Sequence, residues 1–217
     1  MKAILAHDRL VNAALALWFF ALALMFSHDI MGTRTAPDSL LDAARLLSKS
    51  CVFLFYAMLA WATLIRARPV ARAAGWQPRA AALLGSYLSF ALPFLPTRAD
   101  LGVTAHLVSA GCVLLGIGLA LFILMRLRHS FSIMAEARRL VTSGPYAIIR
   151  HPLYAAEALA LIGIFIQYAS VPAALIVAVQ LCFQVQRMRN EEAVLQRTFP
   201  EYEAYAARTA RLVPGVW

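Results

Sequence analysis

Charge is scarce in this sequence. Only 14% of its 217 residues are Asp, Glu, Lys or Arg, where an ordinary soluble domain carries about 25%. Acid is scarcer still, with 11 Asp and Glu against 20 Lys and Arg. So little charge excludes an ordinary well-solvated globule. Cysteine is nearly missing too. Cys51, Cys112 and Cys182 all fall inside apolar runs with no CxxC or other ligand spacing, which argues against a disulfide scaffold and a zinc site. Internal repeats, low-complexity tracts and long linkers are also lacking, which leaves residues 1–217 as a single domain.

Apolar residues are abundant: 62% of the chain, with a mean hydropathy of +0.70. A spanning helix needs about 17–25 mostly apolar residues. Stretches of that kind run from about Leu10 to Ser27, Leu46 to Ile65, Ala80 to Leu95 (short, with Pro93 near its end) and Leu101 to Leu127. From Pro152 to Gln186 the chain is apolar for too long to be one span. It is interrupted by Gln167-Tyr168-Ala169-Ser170-Val171-Pro172, where a turn fits. The expected fold is therefore an all-α polytopic membrane protein of about six spans, the last two forming a closely packed helical hairpin. The first apolar run follows Lys2 and Arg9 and contains Ala21-Leu22-Ala23, but it is longer than a signal-peptide core and more spans follow. It reads as a retained helix.

Basic residues set orientation, because cytoplasmic loops are enriched in Lys and Arg. With the amino terminus inside, all of the 20 except Arg34, Arg45, Lys49 and Arg98 fall on the cytoplasmic side, so both termini are expected there. The net charge of +9 then reflects orientation and contact with anionic lipid headgroups, and no nucleic acid is needed to explain it. Small residues at Gly111, Gly116, Gly118 and Ala120 suit close helix packing, as between Gly116 and Ala120. Trp18, Trp61, Trp76 and Trp217 lie in or near span ends, where aromatic belts form.

Residues 1–127 hold spans with few polar groups; residues 128–217 crowd ionisable groups against the membrane boundary, and chemistry belongs there. One group is Leu140-Val141-Thr142-Ser143-Gly144-Pro145-Tyr146 followed by Arg150-His151-Pro152-Leu153-Tyr154. Gly144-Pro145 signals a turn, and Pro152 suits the first turn of a helix, which puts His151 near its cap. Such a cluster can hold a ligand's carboxylate or phosphate, or it can contact lipid headgroups. A second group is Arg187-Met188-Arg189-Asn190-Glu191-Glu192 at the end of the last span. Acids there oppose the dipole of a helix carboxyl end. Arg187 and Glu191, four apart, share a face, either as a solvated pair worth about 0.3–0.5 kcal/mol or as groups that bind a ligand.

The ordered combination of LVTSGPYAIIRHPLY (residues 140–154), the hairpin, Glu191-Glu192, then Leu195, Phe199, Tyr202, Tyr205 and Pro214 resembles the isoprenylcysteine carboxyl methyltransferase family, itself similar to the phospholipid N-methyltransferases. The resemblance covers about the last 80 residues. It implies S-adenosyl-L-methionine as cofactor, in a cytoplasm-facing pocket, and a lipophilic methyl acceptor that enters from the bilayer. It implies cofactor contacts at Arg138, Arg139, Leu140, Val141, Tyr146, His151, Pro152, Leu153, Tyr154 and Glu191. It associates Arg187 with the substrate as the catalytic, orienting residue; no metal is expected. Eukaryotic members carry a histidine where Arg138 stands. For a carboxylate acceptor no base is required; for an amine or thiol, Glu191 and His151 become base candidates. Sterol reductases, which use NADPH, resemble the carboxy-terminal pattern as well. A non-catalytic transport or assembly protein is the third class.

Overall fold

The computed structural model describes residues 2–31, 40–96, 98 and 101–215. Arg34, Val216 and Trp217 lie outside these residues, as do the side chains of Lys2, Arg9, Arg45 and Arg128. The described chain is mostly helical. Helices α1 (Lys2–Met31), α2 (Leu40–Ile65), α3 (Gln77–Tyr87), α4 (Val103–Leu127), α5 (Pro152–Tyr168), α6 (Val171–Thr198) and α7 (Tyr202–Ala207) follow in order. Helices α4 and α6 are long and apolar enough to cross a membrane, and shorter apolar stretches occupy Ala13–Met25, Lys49–Ile65 and Pro152–Tyr168.

The segment expected to be the third span is not one α-helix. Helix α3 stops at Tyr87 and the chain continues as a 3-10 helix from Leu88 to Phe94. Pro93 lies inside that stretch and cannot donate the backbone hydrogen bond that would prolong an α-helix. The hairpin forms where expected. Ser170 caps α6 by accepting from Ala173 N at 3.3 Å, with Pro172 in the first turn. Its arms do not pair chiefly with each other, however. Helix α5 lies along α4, and α6 lies along α3.

Small residues explain this choice. A Cβ at Gly116 would stand 2.5 Å from Ala160 N and 2.7 Å from Ala156 O, so only glycine lets the α4 and α5 backbones approach this closely. Ala120, one turn on, is buried, whereas Gly111 and Gly118 face open space. Further along the seam, Ser109 Oγ donates to Gly163 O at 2.7 Å and accepts from Gln167 Nε2 at 2.8 Å.

The main core joins Phe19 of α1, Leu59 and Ala62 of α2, and Ile123 and Leu124 of α4 to Phe131, Ile133 and Tyr146. Polar Thr63 and Ser109 are buried, whereas Leu17, Trp18, Phe20, Leu64, Leu115 and Leu175 are at least half exposed. That distribution, apolar outside and polar inside, suits a hydrocarbon solvent.

A short ladder was not foreseen in the helical reading. Strands β1 (Ala71–Arg72) and β2 (Glu136–Ala137) pair antiparallel, with Ala71 opposite Ala137 and Arg72 opposite Glu136. It ties the loop after α2 to the loop after α4.

Candidate functional site

Between α4 and α5 the chain runs as an extended segment and a turn. Burial alternates from Phe131 to Ala137: Phe131, Ile133, Ala135 and Ala137 are buried, and Ser132, Met134 and Glu136 are less so. Side chains of an extended chain alternate in this way. Ser132, Met134, Glu136 and Arg138 line a cavity of about 820 Å³, a volume that includes its open mouth. The turn at Gly144, where φ is +65°, leads into a 3-10 turn from Gly144 to Ala147 that places Tyr146 on the same cavity. Helix α5 begins at Pro152 and supplies Leu153 and Tyr154, α6 supplies Arg187, Glu191 and Leu195, and α7 supplies Tyr202 and Tyr205.

Arg138, Arg139, Leu140, Val141, Tyr146, His151, Leu153, Tyr154, Arg187 and Glu191 all stand on this cavity. Pro152 does not line it; it occupies the first turn of α5, where its ring fits the helix start.

Arg187 and Glu191 do not form the solvated pair that spacing alone allowed. Arg187 Nε lies 3.3 Å from Glu191 Oε1, and the Arg187 side chain is 5% exposed. Its Nη1 donates to Ser86 Oγ at 2.8 Å, and its guanidinium sits over the Tyr154 ring, 4.8 Å from the centroid. Tyr154 Oη donates to Glu191 Oε1 at 2.5 Å. Arg138 is buried and donates to Glu136 Oε2 at 2.5 Å, while Ser132 Oγ donates to the same oxygen at 2.8 Å and Arg72 pairs with Oε1 at 3.1 Å. Arg139 is exposed at the cavity edge and makes no hydrogen bond or ion pair among the described residues.

The anion for the Arg150–His151 cluster comes from the chain itself. Glu192 Oε1 accepts from Arg150 Nε at 2.8 Å and stands 3.1 Å from His151 Nε2, and Arg211 Nη2 meets Glu192 Oε2 at 2.6 Å. Arg150 Nη1 also donates to Ala206 O at 2.9 Å and to Thr209 O. Burial alone would raise the Glu192 carboxyl, but hydrogen bonds from His151, Arg211 and Arg150 hold it well below the usual carboxylate range. These contacts, the Ile149–Ala210 bridge and Tyr205 Oη donating to Tyr146 O at 2.8 Å fasten the segment after α6 over the cavity. Burial, first, pushes the Tyr146 hydroxyl far above its ordinary value and that of Tyr205 up to about 12, so both remain proton donors at neutral pH. The dipole argument against the two acids lapses because α6 continues to Thr198, and Glu191 and Glu192 are not at its end.

Sequence reading missed Ser132, Met134 and Glu136. Their signal is the alternation in Phe131-Ser132-Ile133-Met134-Ala135-Glu136-Ala137, which is a strand period rather than a helix period.

Known proteins resemble the part of the chain that builds this geometry. The cobalt-zinc-cadmium resistance protein CzcN of Cupriavidus metallidurans is 39% identical over 77 residues, 35% of this chain and 35% of its own. The nickel-cobalt-cadmium resistance protein NccN of Alcaligenes xylosoxydans xylosoxydans is 35% identical over 80 residues, 36% of this chain and 38% of its own. The chain thus spans under two-fifths of the length of these relatives. Residues 104–202 match the phospholipid methyltransferase family, a stretch that runs from α4 to the first residue of α7 and holds every cavity-lining residue except Tyr205.

Proposed function

We propose that this chain is an integral, multi-pass membrane methyltransferase that uses S-adenosyl-L-methionine and acts on a lipophilic acceptor reached from the bilayer, with the Arg-rich face and both termini cytoplasmic. One observation carries the reading. Three separated stretches, residues 138–141, 146–154 and 187–191, converge on one cavity, and they are the stretches that the methyltransferase resemblance singles out.

The cavity's chemistry fits this cofactor. Its wall combines apolar Met134, Leu140, Val141 and Leu153 with the half-buried carboxylates of Glu136 and Glu191, four tyrosines (Tyr146, Tyr154, Tyr202 and Tyr205) and the exposed cation Arg139. Arg138, Arg139, Leu140, Val141, Tyr146, His151, Leu153, Tyr154 and Glu191 would hold the cofactor, with Pro152 setting the start of α5 beside them. The cofactor supplies an electrophilic methyl group on a sulfonium.

The protein's own task is positional. Glu191 is fixed by Tyr154 and Arg187, so it offers a hydrogen-bond acceptor whose direction is set before a ligand arrives. Tyr146 is held as a neutral donor, and the Tyr205 hydroxyl, spent on the Tyr146 carbonyl, keeps that tyrosine's backbone in place. The apolar wall excludes water, and holding two reactants in near-attack geometry can supply about 7–11 kcal/mol at most. Arg187, stacked on Tyr154, fixes the edge of the site nearest the membrane helices.

The test is calorimetric titration of S-adenosylhomocysteine into detergent-purified protein, with NADPH as comparator. Micromolar binding to the wild type that is weakened in Tyr154→Phe and Glu191→Gln supports the reading. Folded protein that binds NADPH instead points to the reductase class, and protein that binds neither points to a non-catalytic one.

A further inference from the structure

Among the tyrosines on the cavity wall, the hydroxyls differ in what they meet. Tyr154 Oη donates to Glu191, and Tyr205 Oη donates to Tyr146 O. Tyr202 Oη is buried and finds no hydrogen-bond partner among the described residues. The residue as a whole is only 4% exposed. Its place is nonetheless fixed: Tyr202 N donates to Phe199 O at 3.0 Å, and its ring stands edge-on to that of Tyr205, with centroids 5.9 Å apart.

The charges around Tyr202 do not supply the missing acceptor. Glu192, Arg150 and Arg211 stand close enough to act on it electrostatically. Arginines only donate and cannot take up its O–H. Glu192 is full. Its Oε1 faces Arg150 Nε, His151 Nε2 and Arg211 Nε at 2.8, 3.1 and 3.1 Å, and its Oε2 accepts from Arg211 Nε and Nη2 at 3.0 and 2.6 Å. Each carboxylate oxygen has two lone pairs to offer, and both are used. Burial, first, drives the Tyr202 hydroxyl far above its ordinary value, so it keeps its proton at neutral pH. A buried O–H with no acceptor is costly, and such groups are rare enough in folded proteins to need a reason.

The cavity provides one. Tyr202 forms part of its wall and belongs to the segment that Glu192 fastens over it. A ligand that brings acceptor atoms to this wall would satisfy the hydroxyl. S-adenosyl-L-methionine carries such atoms on its carboxylate, its ribose and its adenine.

We propose that Tyr202 is a cofactor-binding residue: its hydroxyl donates to an acceptor atom of the bound S-adenosyl group, and that bond ties the segment after α6 down over the occupied cavity. The proposal rests on the methyl-transfer reading above. It adds a contact outside the three stretches that carry that reading, and it makes closure of the segment depend on occupancy. A bond made only in the closed arrangement must strengthen ligand binding and closure by the same factor.

The experiment compares full-length wild type, Tyr202→Phe and Tyr205→Phe in one detergent. Three quantities are read: Tm without ligand, S-adenosylhomocysteine affinity by calorimetry, and hydrogen exchange at the amides of Arg150, His151 and Ala210 with and without saturating S-adenosylhomocysteine. Tyr202→Phe removes a hydroxyl that has no protein partner, so its ligand-free Tm should equal or exceed that of wild type. Tyr205→Phe removes the bond to Tyr146 O and should lower it. Tyr202→Phe should weaken S-adenosylhomocysteine binding about tenfold, the scale of one hydrogen bond. The protection that the ligand adds at the three amides should shrink by the same factor. Unchanged affinity in Tyr202→Phe, or weaker affinity with a Tm loss matching that of Tyr205→Phe, overturns the proposal and leaves methyl transfer standing. Weaker affinity with an undiminished gain in protection overturns the tie to the segment. Folded wild type that does not bind S-adenosylhomocysteine overturns the methyl-transfer reading, and the proposal with it.

Discussion

Removing the charge of Glu192 should release the segment after α6 without unfolding the helices. In Glu192→Gln the shape is kept, but Arg150, 13% exposed, and Arg211, 24% exposed, lose their shared anion. Breaking a buried ion pair by removing one partner costs about 3–5 kcal/mol. The low end applies, because Arg150 retains the carbonyls of Ala206 and Thr209 and Arg211 can turn toward solvent. About 3 kcal/mol is roughly a 150-fold rise in the local opening constant, at a factor of ten per 1.4 kcal/mol. Hydrogen exchange reads it directly. The reporters are the amides of Arg150, His151 and Ala210, which donate to Ala210 O, Arg211 O and Ile148 O at 2.8, 3.1 and 3.3 Å. Their protection should fall by about two orders of magnitude (an estimate from the same 3 kcal/mol) while that of α4 and α5 is unchanged. Exchange within threefold of wild type at these three amides would refute the reasoning. So would a loss of protection spread evenly over the helices.

The same carboxylate sets a pH dependence. Its folded value is depressed below the ordinary 4.5, so its contribution is complete above that value and is lost as pH falls through the folded one. Protection of those amides, corrected for intrinsic exchange, should be flat from neutral pH to about 5 and decline below, and a decline already complete at pH 6 would contradict it. Gly116→Ala should destabilise the α4–α5 seam by about 1–3 kcal/mol, since its Cβ would lie 2.5 Å from Ala160 N. Gly118→Ala, facing open space, should be neutral or gain up to about 1 kcal/mol, and thermal melts of the pair in one detergent compare them. Tyr154→Phe removes a hydrogen bond to a carboxylate, a contact worth about 1.5–3 kcal/mol, and should weaken S-adenosylhomocysteine binding at least about tenfold; an unchanged Kd would separate Glu191 from the ligand.

Long apolar runs made the helices legible, because a membrane helix announces itself by composition over many residues. The hairpin turn was legible for a similar reason, with Ser170 and Pro172 carrying capping chemistry in the sequence itself. Pairing was not. Whether α5 meets α6 or α4 depends on where a missing side chain permits approach, and Gly116 could be seen as small without its partner at Ala160 being known. At the site, the cavity residues within 138–141, 146–154 and 187–191 were legible through a pattern spread over three stretches, whereas Ser132, Met134 and Glu136 were not. The internal partner of Arg150 and His151 was hidden, because Glu192 is 41 residues from His151 and periodicity says nothing about contacts at that range. Gln180 and Gln184, both buried on α6, were in plain view at helical spacing, but two glutamines in an apolar run carry no charge to draw notice.

If α6 crosses the bilayer as proposed, its being one unbroken helix would make bilayer thickness felt at the cavity. Its outward apolar face, residues 171–185, is about 22 Å long at 1.5 Å per residue, shorter than a hydrocarbon core of about 30 Å. In that placement lipid would thin around the helix or the helix would sink, and sinking would carry Arg187 and Glu191 down with it. Acyl-chain length would then tune the chemistry at the far end of the rod, without any lipid touching the reacting groups.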